Sequence, residues 1–214
     1  RVYRTTAIPD CNWPRGKVMG GSSVLNYMIY TRGNRRDYDK WEQLGNEGWG
    51  WKDVFPYFKK IEKFTIAEYQ DALYHNTEGP IDVSYVPFST EVAKTWVKAC
   101  QEAGHKLIDY NGVTQTGTSL FQVNMRNGTR VSSNKGYLHP IKHRSNLHVM
   151  KNSLVTKILS DGKKTINGVE FINNNKHFKV FAEKEVIISA GTINSPQLLM
   201  LSGIGPKEHL EEMK

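Results

Sequence analysis

The chain has 214 residues, 38% hydrophobic and 23% charged, the balance of an ordinary globular protein. Its formal charge of +8 is scattered. The tightest basic cluster, Arg32-Gly33-Asn34-Arg35-Arg36, is followed at once by Asp37 and Asp39, so the charge reads as a solvated surface and no nucleic-acid partner is expected. No apolar run approaches the roughly 20 residues of a membrane span, and Cys11 and Cys100 have neither metal-ligand nor redox spacing.

In chain order, a polar, irregular stretch punctuated by Pro9 and Pro14 leads to Gly20-Gly21-Ser22-Ser23. This reads as a tight glycine turn opening a short, mostly buried helix through Tyr30. A helix is expected over Asp37–Leu44, with Tyr38 and Trp41 on one face and Gly45 as its stop. Asp53 is expected to cap a second helix carrying Val54, Tyr57, Phe58 and Ile61. Ile81–Val86 alternates like a strand. Ser89 or Thr90 starts an amphipathic helix whose apolar stripe is Val92, Trp96, Ala99 and Ala103, with Gly104 at its end. Phe121 and Val123 read as strand residues. Strands are also expected over 146–150 and 153–159, and over 168–172 and 178–181 as a hairpin around Asn173–Lys176. Glu185–Ser189 reads as the best buried strand, ending at Ala190-Gly191. The mixture predicts an α/β or mixed α+β fold.

Two segments carry chemistry. In Arg15–Asn26, paired glycines permit close backbone approach and positive φ. A turn that opens a helix presents free N–H groups to an anion. Ser22 and Ser23 add hydroxyls, and Asn26 lies one helical turn beyond Ser22, so both side chains are expected to address one ligand. Read without any relative, a capped helix after a loop explains the same residues. In Ser189–Pro206, small residues close a buried strand, where open α/β sheets bind cofactors. Ser195 suits an N-cap, Pro196 the first helical position and Gly203 the stop. Only Ala190-Gly191 asks for a ligand on physical grounds.

Together the two segments resemble the two signature sequences of the glucose-methanol-choline (GMC) oxidoreductases, in order and at similar separation. The run Asn26–Asp39 with Trp41 and Gly48-Trp49 is similar too, as are Asn127-Gly128-Thr129-Arg130 and Ser145–Val149. The resemblance is strongest toward insect glucose dehydrogenase-like members. It implies an FAD-binding Rossmann-like domain with an inserted substrate-binding domain, both incomplete. Residues 1–80 and 146–214 would belong to the first and 81–145 to the second. It implies FAD contacts at Val18, Gly20, Gly21, Ser22, Asn26, Val155, Ala190 and Gly191, and a substrate contact at Phe121. The implied reaction oxidises the CH–OH group of an alcohol or sugar by hydride transfer to the flavin, with oxygen or a quinone as acceptor.

Two features depart from the family pattern. The family opens on a Gly-x-Gly-x-x-Gly turn, which this chain lacks. Its catalytic histidine lies well beyond the second signature, and none of the seven histidines here has a matching context. His75, His105, His148, His177 and His209 read as surface or strand residues. His139 and His143 stand four apart, but Pro140 argues against a helix there and no metal centre is expected. The chain is therefore expected to be an internal piece, inactive by itself and a poor binder of FAD. The rival reading is a catalytically silent relative of the same fold. The Asn127 sequon is compatible with the export common among insect-type relatives.

Overall fold

The computed structural model describes residues 2–3, 11–162 and 165–213, so Pro9 lies outside the described residues. The chain forms two compact units, Arg1–Arg144 and Ser145–Lys214. The boundary expected at residue 80 falls inside the first.

The first unit begins with a short antiparallel pair, β1 (Val2–Tyr3) and β2 (Cys11–Asn12). The diglycine segment then forms a single 3-10 turn, Gly21–Val24. The expected buried helix through Tyr30 does not follow: Val24, Leu25, Tyr27 and Ile29 are exposed, and Met28 has φ 62°. Helix α1 (Arg35–Gln43) starts where Asn34 accepts a hydrogen bond from the Arg36 N–H, and Gly45, at φ 96°, ends the turn beyond it. Helix α2 (Trp51–Ile61) is capped by Gly50 rather than Asp53, which sits in its first turn, where a carboxylate suits the helix dipole.

Strand β3 (Glu62–Phe64) pairs in parallel with β4 (Ile81–Tyr85), which pairs antiparallel with β5 (Gln122–Val123). Their apolar residues build the core: Phe64, Ile66, Val83 and Tyr30, with Tyr69 and Tyr85 against them. Helix α3 (Glu91–Glu102) is capped by Thr90 Oγ1, which accepts from the Ala93 N–H at 3.2 Å. Its predicted stripe is the solvent face, with Val92 77% and Trp96 68% exposed. The half-buried side is Ala93, Val97 and Cys100. Strands β6 (Met125–Arg126) and β7 (Thr129–Arg130) form a hairpin whose tip, Asn127-Gly128, takes positive φ at both residues. Despite Pro140, the backbone coils through a π turn, Asn134–Leu138, and a 3-10 turn, His139–Ile141. Proline is accommodated at the second residue of that turn, where its missing N–H needs no partner.

The second unit is an antiparallel sheet of β8 (Ser153–Ser160), β9 (Ile166–Asn173) and β10 (Lys176–Phe181), in the order β10-β9-β8. Asn174 and Asn175 adopt φ 48° and 60° at the β9–β10 turn, the left-handed pair such a two-residue hairpin needs. Phe171 stacks on Phe178 at 5.5 Å. Helix α4 (Gly191–Leu201) begins five residues earlier than an N-cap at Ser195 predicts and contains Pro196. Its end matches the sequence: Gly203, at φ 83°, donates to Met200 O and Ile204 donates to Leu199 O, a Schellman pair. Helix α5 (Lys207–Glu212) follows.

Two expected strands, 146–150 and 185–189, join no ladder among the described residues. Ile187 is 77% exposed. A parallel strand exists only through the neighbours that pair with it, and these two apolar segments have none here.

Candidate functional site: a propped diglycine turn and an aromatic cleft

Gly20 has φ 98° and Gly21 φ 54°, and the Gly21 N–H donates to Val18 O at 2.9 Å. A Cβ on Gly20 would press on Asn134 at 3.2 Å, whereas one on Gly21 would meet nothing within 4 Å. One glycine is needed for packing; the other faces open space. Val18 is itself exposed.

The hydroxyls and the amide expected to face a ligand also prop this turn. Ser22 Oγ accepts from the Gly16 N–H at 3.2 Å. Ser23 Oγ donates to Gly20 O and accepts from the Ser133 N–H at 3.0 Å, while Ser133 Oγ donates to Gly20 O at 3.1 Å. Asn26 Oδ1 accepts from the Met28 N–H at 3.0 Å and from Arg130 Nη1 at 2.8 Å. With its oxygen committed in this way, Asn26 keeps its Nδ2 donors for other acceptors. Ser22 and Asn26 do not share one helix face, because the 3-10 turn ends at Val24. Val18, Gly20, Gly21, Ser22 and Asn26 nonetheless gather around one turn, and sequence reasoning missed the props from Arg130 and Ser133.

Phe121 is 63% exposed and lines a cleft of about 300 Å³ with Ile29, Thr31, Ile108, Tyr110 and Ser119. Chain neighbours of these lining residues belong to a buried polar network that the sequence did not signal. Arg32 is 2% exposed and pairs with Glu62 Oε2; Glu62 is 0% exposed. Glu62 Oε1 faces His75 Nδ1 at 2.9 Å, and His75 Nε2 faces Asp109 Oδ2 at 2.6 Å. Asp109 Oδ1 accepts from the Asn111 N–H and from Gln122 Nε2, at 2.9 and 2.7 Å. Asn111 accepts from Arg32 through its side chain and its carbonyl. His75, at 5% exposure, is therefore no surface histidine. Burial disfavours its charge, but the hydrogen bonds to Asp109 and Glu62 outweigh burial and raise its pKa above 6.5. Burial acts oppositely on Asp109, and its bonds from His75, Asn111 and Gln122 prevail, lowering its pKa below 3.8. Burial, with Glu62 nearby, pushes the Tyr30 phenol up to about 12.

In the second unit, Val155 sits on β8 opposite Phe171, beside a bulge between Val155 and Lys157. Ala190 is the N-cap of α4, and its N–H donates to Ser195 Oγ at 3.1 Å. Gly191 has φ 89°, and a Cβ there would meet nothing within 4 Å. Ala190 and Gly191 adjoin in the chain; Val155 lies on the strand that packs on α4, where the Ile158 N–H donates to Ser202 Oγ at 2.8 Å.

A family model for GMC oxidoreductases matches residues 4–212, and the chain belongs to that family. It is 44% identical over 205 residues to a glucose dehydrogenase [FAD, quinone] of Drosophila pseudoobscura pseudoobscura, covering 95% of this chain and 33% of that protein. It is 41% identical to an alcohol dehydrogenase [acceptor] of Pseudomonas putida, covering 94% and 36%. Among solved structures, pyridoxine 4-oxidase from Mesorbium loti superposes with a TM-score of 0.88 at 30% identity, covering 98% of this chain and 42% of that one. An FAD-dependent oxidoreductase from Chaetomium thermophilum also gives 0.88, at 32% identity, covering 96% and 37%. The chain thus spans a little over a third of the proteins it matches.

Proposed function

We propose that this chain is the part of an FAD-dependent oxidoreductase, acting on the CH–OH group of an alcohol or sugar, that holds the cofactor and one wall of the substrate site. The observation that carries the reading is Gly21: a left-handed glycine with open space where a side chain would stand, in a turn propped from behind by Ser22, Ser23, Asn26 and Ser133. Such a turn lets a ligand approach the backbone closely where a side chain would stand, which suits a dinucleotide. Val18, Gly20, Gly21, Ser22 and Asn26 are assigned as cofactor contacts in the first unit, and Val155, Ala190 and Gly191 in the second. Gly191, open at positive φ ahead of the α4 amides, fits that role for the same reason.

When bound, FAD supplies the hydride acceptor. The residues of this chain bind and orient. The Asn26 amide, its oxygen committed, presents donors only, and Phe121 is assigned to the substrate wall beside Tyr110 and Ile29. Residues 81–145 are assigned to the substrate-binding part and the flanking stretches to the flavin-binding part. No histidine here is assigned as the catalytic base, and both ring nitrogens of His75 are already engaged. The two Drosophila glucose dehydrogenases carry a quinone in their names, which supports a quinone as the electron acceptor here.

The test is flavin content in the full-length protein and in Gly21→Ala. The expected wild type purifies with one FAD per chain. The substitution adds only the left-handed strain of an alanine, about 1–2 kcal/mol, yet is expected to empty the flavin site of a folded protein. A flavin-free wild type that takes up no added FAD overturns the proposal, as does a Gly21→Ala protein holding flavin normally.

A further inference from the structure

We infer that His75 is an imidazolium at neutral pH that pins the back of the Phe121 cleft, one ring N–H donating to Glu62 and the other to Asp109. A neutral imidazole has one donor and one acceptor. At 2.9 and 2.6 Å both ring nitrogens face carboxylate oxygens, so a neutral ring would set one lone pair against another. Protonating a carboxyl instead is disfavoured, because each has further donors. Glu62 also accepts from Arg32, and Asp109 also accepts from Gln122 and from the Asn111 N–H. The quartet Arg32, Glu62, His75 and Asp109 then carries two positive and two negative charges and is neutral as a whole, the condition under which buried charges persist.

The groups around the ring agree. Phe64 on β3 stacks on it at 3.6 Å, and the His75 backbone N–H donates to Asp71 O at 2.7 Å. Tyr30 bonds Arg32, while Tyr69 and Tyr85 feel the charge of Asp109; burial raises the pKa of all three, so they stay neutral over the working range.

The positional role follows from alternation along the backbone. Tyr110 lines the cleft and lies between Asp109 and Asn111, both members of the network. Phe121 precedes Gln122; Ile29 and Thr31 flank Tyr30, and Thr31 adjoins Arg32. Tyr110 is thus a chain neighbour of a group bonded to His75 directly, Phe121 and Thr31 are neighbours of groups one residue removed from it, and Ile29 is a neighbour of Tyr30, two residues removed. Strip the second proton from the ring and one carboxylate loses its donor, which frees the Asp109–Asn111 segment or β3. The inference is independent of the cofactor assignment, since no network residue is assigned to FAD.

The experiment is imidazole nitrogen NMR of histidine-labelled, full-length protein between pH 6 and 10. One histidine is expected to keep two protonated ring nitrogens well above the pH at which the others lose one. Its signal is expected to vanish in His75→Gln. Asp109→Asn, which keeps the shape and removes one charge, is expected to lower that midpoint by about 1–3 units, and so assigns the signal even where His75→Gln fails to fold. The amide signals of Tyr110 and Phe121 are expected to move with the same midpoint, while that of Val180 on β10 does not. Two outcomes overturn the inference: a ring that titrates with the ordinary histidines, or cleft amides that ignore its titration.

Discussion

Replacing Glu62 by Gln is the sharpest perturbation of the buried network. The side chain is completely enclosed and accepts from Arg32 on one oxygen and His75 on the other. The amide keeps the shape but offers one acceptor and one donor, so it must point N–H at N–H on one side. It also leaves a guanidinium, 1% exposed, without its counter-charge. Removing one partner of a buried pair costs about 3–5 kcal/mol, about a fifth or more of the roughly 5–15 kcal/mol that holds a typical domain together. Urea unfolding of the intact protein reads this as a lower midpoint at unchanged slope. Glu91→Gln is the control, because the Lys94–Glu91 pair is largely exposed and a surface pair contributes about 0–1 kcal/mol. The penalty is expected to shrink at alkaline pH, where a neutral His75 accepts from the introduced amide. A Glu62→Gln protein within about 1 kcal/mol of wild type at pH 6, indistinguishable from the control, would refute the reasoning.

Further outcomes are expected. His75, its pKa raised in the fold, stabilises fully below about pH 6.5 and less as pH rises through its folded value; Asp109, its pKa lowered, stabilises above about pH 3.8 and less as pH falls through its folded value. Stability against pH is therefore a plateau with two shoulders, and Asp109→Asn flattens both in a pH series of melting curves. Gly79→Ala places a Cβ 2.4 Å from the backbone N and O of Glu62 and is expected to cost about 3 kcal/mol, the upper end for overpacking, by urea midpoint. Thr90→Ala removes the α3 cap and is expected to cost about 1 kcal/mol by the same measurement.

Local signals were legible in the sequence where the chain decides its structure over a few residues. Thr90 caps a helix, Gly45 and Gly203 stop helices, and Asn174-Asn175 turns a hairpin because these side chains or missing side chains act within one turn. The diglycine turn was visible for the same reason, though not the direction of its serines, which depends on Ser133, 110 residues away. The α3 stripe was misassigned because apolar side chains at helical spacing mark a face, not the partner that covers it. Segments 146–150 and 185–189 carry the right composition but have no neighbour to pair with among the described residues. His75 was unreadable: its partners lie 13 and 34 residues away, and no period or motif links them.

The second unit leaves β10 as the end of its sheet, with all six residues exposed, Phe178, Val180 and Phe181 among them. An unguarded border of that kind recruits whatever extended peptide comes near, including another molecule of the same kind. Produced by itself, this stretch of polypeptide should clump unless something caps that border. The lysines at 176 and 179 are the only deterrent it carries there.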